Sequence, residues 1–201
     1  MIAHENISHP RSSEGRKLQS RHSCGGRRGA GAKRPRRFLP RLVPGEVRPD
    51  PPRLSEIPKG APIDSAVQMH CDEIAAAEGI VIVHPNWWGQ PPAILKGWVD
   101  RVIRPGLAYE FLEEDGGEGV PIGLLKAKVA LIFNTSNTPE KREMEVFGDP
   151  LEALWKNCVF GLCGVGDVRR KTYRVVVTST PEERRSWLVD VRETVGRSFS
   201  P

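Results

Sequence analysis

The chain has 201 residues, 38% hydrophobic and 27% charged, with a formal net charge of +5. That is the composition of a soluble globular protein of one domain, with or without a tail. No apolar run reaches the length that crosses a bilayer, and the opening MIAHENISHPRSSEG holds no apolar signal core, so the expected location is the cytoplasm.

The charge is unevenly placed. Residues 1–60 carry 14 Lys and Arg against 5 Asp and Glu, and the rest carry 16 against 20. From Arg16 to Lys59 no period of 2 or 3.6 persists. GGRRGAGAKRPRRFLPRLVPGEVRPDPPR has the composition of a disordered segment, and Pro40, Pro44, Pro49, Pro51 and Pro52 would interrupt a helix or central strand. A boundary near residue 60 is expected, with an irregular basic segment (1–60) before a folded domain (61–201). A basic tail suits nucleic acid or an anionic membrane.

The first regular signal is a helix over Asp64–Glu78, with Val67, Cys71, Ile74 and Ala75 on one face and Gly79 as its stop. GIVIVHP follows as a strand apolar on both faces. Pro91 and Pro92 open a helix whose apolar face is Ile94, Leu95, Trp98, Val99 and Val102. KVALIFNTSN is a second buried strand. Asp149, Pro150 and Glu152 give a capped helix start, with Leu151, Leu154, Trp155, Cys158 and Val159 as its stripe. YRVVVTST is a third strand. Thr180, Pro181 and Glu183 start a last helix that faces Trp187, Leu188, Val191 and Val195 inward. Cys24, Cys71, Cys158 and Cys163 make no C-x-x-C pair and no zinc-like set, so no metal is expected; Cys158 and Cys163 read as small buried hydrophobes.

This alternation predicts an α/β fold with a parallel sheet between helical layers. Such sheets bind ligands beyond the carboxyl ends of their strands. HPNWWGQ and NTSNTP are both such exits. Two indoles, a glycine and an amide suit a flat heteroaromatic ring with polar edges; equally, Trp87 and Trp88 could plug the top of the core. Asn134–Thr138 could hold a ring edge, phosphate or ribose, or could simply make a capping turn. No phosphate loop of the G-x-x-x-x-G-K type, no G-x-G-x-x-G between strand and helix, and no serine–histidine–aspartate set is present.

GIVIVHPNWWGQPPAILKGWVDRVIRPGLAYEF closely resembles the core motif of the flavodoxin-like NAD(P)H:quinone oxidoreductases, a family that includes the ancillary proteins of potassium-efflux systems. LLKAKVALIFNTSNTPE, FGDPLEALWKNCVFGLCGVGDVRR and TPEERRSWLVDVRETV resemble it in the same order, over roughly residues 55–200. The resemblance implies a flavodoxin-like three-layer sandwich, bound FMN or FAD, NAD(P)H as co-substrate, a quinone-type acceptor and a homodimer. It places Pro85, Asn86, Trp87, Trp88 and Gly89 against the flavin ring, and Asn134, Thr135, Ser136 and Asn137 at its other polar edge. The Tyr and His that assist hydride transfer in some members are absent from PEKREMEVF, so no catalytic side chain is assigned. An alternative reading is a non-catalytic ancillary subunit associated peripherally with a membrane transporter.

The family's first loop and second strand are missing. His9 and Pro10 stand where a phosphate-binding loop would begin, and then the pattern lapses until SEIPKGAP. Residues 16–52 read as an off-frame rendering of that segment. Codons exist for Lys17–Cys24 that give SFNHAILA one base later, and codons for Phe38–Asp50 that give FFHDLYREKFDP. On this reading the basic run is not a nucleic-acid footprint. The disrupted first helix and second strand leave a sheet edge unpaired, apolar area exposed, and flavin bound weakly or not at all.

Overall fold

The computed structural model describes residues 37–38, 64–112, 114 and 119–199. His9 and all but Arg37 and Phe38 of the basic segment lie outside them. The two exceptions form a short strand, β1 (Arg37–Phe38), inside the stretch that composition marks as irregular. It pairs in parallel with Gly79 and Ile80.

α1 (Ser65–Ala76) starts where predicted, because the Asp64 side chain accepts the Ala66 N–H at 2.8 Å. β2 (Gly79–Pro85) and β5 (Val129–Ser136) are the two buried strands, in parallel register from Gly79 opposite Val129 to Pro85 opposite Thr135. With β6 (Asp167–Arg174) they give a four-stranded sheet in the order β1-β2-β5-β6, each neighbouring pair parallel. A small antiparallel pair, β3 (Tyr109–Glu110) and β4 (Ile122–Gly123), lies apart from it.

The sheet has helices on both faces. Ile80 and Ile82 of β2 and Ala130 and Ile132 of β5 pack with α1, α2 (Ala93–Val102) and the helix that follows Asp149. Val81, Leu131 and Phe133 point the other way, towards α5 (Pro181–Ser198) and Phe199. Burial on alternate faces explains why both strands read as continuous apolar runs. Coverage of the second face is incomplete: Val83, on the same side as Val81, is 69% exposed. Among the described residues, no helix is long and apolar enough to cross a membrane.

Four local expectations are corrected. The third strand is DVRRKTYR rather than YRVVVTST, and Val176–Thr178 forms a 3₁₀ turn beyond it. β6 is an edge strand of the described sheet, and its consecutive Arg169, Arg170 and Lys171 mark such an edge better than an apolar run does. Asp149 precedes α4 (Pro150–Glu152) but makes no side-chain cap; its carboxylate is engaged by Arg170. α4 continues as a π-helical segment, Ala153–Gly161. There the i→i+5 spacing turns the 3.6-residue stripe aside, so Cys158 is exposed while Phe160 is buried and stacks on Trp155 at 5.7 Å. Finally, Leu188 faces outward at 59% exposure, while Trp187, Val191 and Val195 pack on the sheet. The capping box of α5 forms as read, Glu183 N–H to Thr180 Oγ1 and Thr180 N–H to Glu183 Oε2. A short polar helix, α3 (Glu140–Glu145), carries no periodic signal and was not expected.

Candidate functional site

The carboxyl ends of β2 and β5 lie side by side. His84 is opposite Asn134, Pro85 is opposite Thr135, and the Asn86 N–H donates to the Thr135 carbonyl at 2.7 Å. The sequence-selected groups Pro85–Gly89 and Asn134–Asn137 therefore meet at one sheet edge.

Above that edge the chain turns back at once. Trp87 and Gln90 exchange two backbone hydrogen bonds of 3.0 Å, with Trp88 and Gly89 between them at φ +58° and +73°. Two consecutive left-handed residues make the mirror-image turn usually built from Asn-Gly. Glycine takes that backbone freely, but a bulky side chain is strained there by about 1–2 kcal/mol. The strained side chain is bare: Trp88 is fully exposed and Trp87 is 58% exposed. Neither indole plugs the core, which is filled instead by Trp98 and Trp155. Backbone strain of this kind clusters at functional sites, and here it lies beside a strand exit.

The turn is braced from below. Asn86 Oδ1 accepts the Gly89 N–H at 2.9 Å, and its Nδ2 donates to the buried Glu143 of α3 at 3.3 Å. Gly89 also packs against Pro150: a Cβ at Gly89 would lie 2.7 Å from Pro150 Cγ. Beneath the β5 exit, Asn134 is buried, and its Oδ1 accepts from Arg170 at 2.9 Å and from the Thr172 hydroxyl at 3.0 Å. Its side chain thus sits in a network under the edge. Ser136 Oγ accepts the Thr138 N–H at 3.0 Å, and Asn137 Oδ1 accepts the Val177 N–H at 2.9 Å. These are the turn-making roles open to such residues, and they leave Thr135 as the partly exposed side chain nearest Asn86.

His84 is a buried titratable group two residues before Asn86. Nε2 accepts from Trp155 Nε1 at 3.0 Å, which leaves Nδ1–H to donate to the Pro85 carbonyl at 2.8 Å. Burial holds this imidazole below its ordinary value, the charge of Arg170 adds to that, and the Pro85 hydrogen bond opposes it. Glu143 and Arg170 carry no site signal of their own in the sequence, and Asp149 and Trp155 read there only as a helix start and a helical stripe. The two arginines of VRRK, in a strand leading to the same edge as NTSN, were the available signal for Arg170.

A comparison with known families decides the lineage: residues 36–192 match the flavodoxin-like fold family. The chain belongs to that family. The match begins at residue 36, ahead of the boundary near residue 60 that composition suggests. The flavodoxin-like chain is 39% identical over 108 residues to an uncharacterized NAD(P)H oxidoreductase of Haemophilus influenzae, covering 53% of this chain and 50% of that one. It is 30% identical over 122 residues to an FMN-dependent NADH:quinone oxidoreductase of Bradyrhizobium sp., covering 55% and 56%. The chain thus spans about half the length of these curated relatives. Its fold also matches that of an NAD(P)H:quinone oxidoreductase from Methanothermobacter marburgensis, with a TM-score of 0.54 and 24% identity over 70% of this chain and 67% of that one.

Proposed function

We propose that this chain is a flavin-dependent NAD(P)H oxidoreductase that passes electrons to a quinone-type acceptor. The observation that carries the reading is Trp88, an exposed indole on a left-handed turn at the sheet edge where family members bind ligands. FMN is the flavin favoured over FAD, since the Bradyrhizobium relative is named as FMN-dependent.

The edge fits the ring end of a flavin. Trp87 and Trp88 supply flat apolar area, and the backbone of Pro85–Gly89 and Thr135 supplies polar groups beside it. When bound, the flavin supplies the redox chemistry, accepting a hydride from NAD(P)H and giving electrons to the acceptor. The chain's own part is to orient the ring, through the Asn86-braced turn, and to shield one ring face from water with an indole. His84 contributes no proton here, because both its ring nitrogens are engaged below the turn. The phosphate end would depend on His9 and the loop after it, where the family's sequence pattern lapses until SEIPKGAP, so on this reading binding rests on the ring end and is weak. A homodimer and a cytoplasmic location belong to the same reading.

The ancillary-subunit reading gains nothing from the relatives named above, which are oxidoreductases. The test is a titration with FMN followed by flavin and tryptophan fluorescence, then NADH oxidation with 1,4-benzoquinone. Quenching with turnover supports the proposal. Saturating FMN without quenching, and without turnover, ends it.

A further inference from the structure

Arg170 ties together elements that sequence separates widely. It leaves β6 with its side chain only 6% exposed. Nη1 donates to Asn134 Oδ1 at 2.9 Å and to Thr172 Oγ1 at 2.8 Å, Nε donates to Glu152 Oε2 at 3.0 Å, and Nη2 pairs with the Asp149 carboxylate. One planar guanidinium thus spans the β5 exit and the start of α4. Lysine could not reproduce that fork.

Asp149 is the second uncommon backbone in the region, a non-glycine at φ +48°, directly after Gly148 at φ +68°. Its carboxylate is 9% exposed and meets Arg170. Its left-handed backbone aims the chain so that Pro150 starts α4 and lies under Gly89. Gly89 is the residue after Trp88 in the strained turn. A chain of contacts therefore runs Arg170, Asp149, Pro150, Gly89, Trp88, and a second arm runs Arg170, Asn134, β5 exit.

We propose that Arg170 is the positioning residue of the double-tryptophan turn: by fixing Asp149 in its left-handed conformation it seats Pro150 under Gly89 and so sets where the Trp88 indole stands. It touches no ligand itself. The consequence for FMN rests on the function proposed above; the consequence for Trp88 does not.

The two are separated by reading the free protein first. The Trp88 indole N–H resonance, assigned with Trp88→Phe, is followed in uniformly ¹⁵N-labelled full-length chain, with circular dichroism as the folding control. Arg170→Met should shift or broaden the Trp88 line, leave the Trp98 line in place, and weaken FMN binding at least fivefold where the parent binds it. Arg170→Met with Asp149→Gly removes the unpaired carboxylate and keeps a residue at ease in left-handed backbone. It should return the Trp88 line and the FMN affinity towards the parent, which a general structural role for Arg170 would not allow. If Arg170→Met does not fold, the double variant and Arg170→Lys are read in the same way. An unmoved Trp88 line in folded variants, no rescue by Asp149→Gly, or failure of all three variants to fold overturns the assignment. If the parent shows no FMN quenching but the Trp88 line moves and is rescued, the function proposal fails and the positioning role stands.

Discussion

The Trp155 indole N–H donates to His84 Nε2 across 3.0 Å of buried space, joining the π-helical segment to the carboxyl end of β2. The rings are tilted at 52° with centroids 5.5 Å apart. This single bond fixes the His84 tautomer and makes the imidazole an obligate acceptor, so protonation at Nε2 would break it.

A pH dependence follows. The folded value of His84 is lowered from the ordinary 6.5. Below the unfolded value the unfolded chain binds the extra proton more readily, so stability falls with pH until the folded value is passed. The contribution is whole above about pH 6.5. Urea midpoints at pH 7.5 and pH 5 should therefore differ more in the parent than in His84→Gln. Equal differences would show that His84 is not held neutral.

Trp88→Asn restores the residue this turn favours. Stability should rise by about 1 kcal/mol as the strain is released. FMN quenching should weaken. A variant that is both more stable and an equally good binder would remove Trp88 from the ligand site.

Gly89→Ala combines a φ of +73° with a Cβ 2.7 Å from Pro150 Cγ. A loss of about 1–3 kcal/mol is expected from strain and overlap. Thermal melts against the parent measure it, and an unchanged midpoint would mean that the turn does not rest on Pro150.

The winding after Asp149 is checked by two residues. Phe160→Ala should cost about 3–5 kcal/mol as a buried aromatic truncation, while Cys158→Ser should be near neutral. A thiol reagent should modify Cys158 in the folded chain faster than Cys71 or Cys163, both buried and both with thiols raised by that burial, Cys163 to about 11. The opposite order would restore the 3.6-residue stripe.

The off-frame reading of residues 16–52 has its own check. Sequencing the gene's first part should reveal an in-register frame, one base away, that encodes SFNHAILA- and FFHDLY-like strings. Its absence would make the basic segment a true feature of the chain. In the same preparation, flavin absorbance should be well below one equivalent.

Much of the fold was legible because its signals are local. Thr180 caps where it is read, the first helix begins beside Asp64 as its apolar face requires, and the runs in β2 and β5 are apolar because both faces are buried. What failed depends on distant partners. Asp149 reads as a cap but is engaged by Arg170 instead, and YRVVVTST looks like a strand by composition while DVRRKTYR finds the place beside β5. At the site, sequence located both exits but not their depth. Asn134 and Ser136 carry the residue types of a binding edge, yet their side-chain oxygens serve Arg170, Thr172 and the Thr138 backbone. Nothing in NTSN distinguishes an oxygen that faces a ligand from one that faces the strand beside it.

The Trp88 backbone also bears on the history of the gene. Tryptophan has one codon, TGG, and a single base change gives GGG, a glycine that takes φ +58° without steric penalty. If Trp88 faces a ligand as proposed, a lineage released from selection for that ligand has relief one mutation away at this position. The indole at residue 88 is thus a marker that sequencing of close relatives can follow: small residues there would mark loss of the proposed site independently of the first fifty residues.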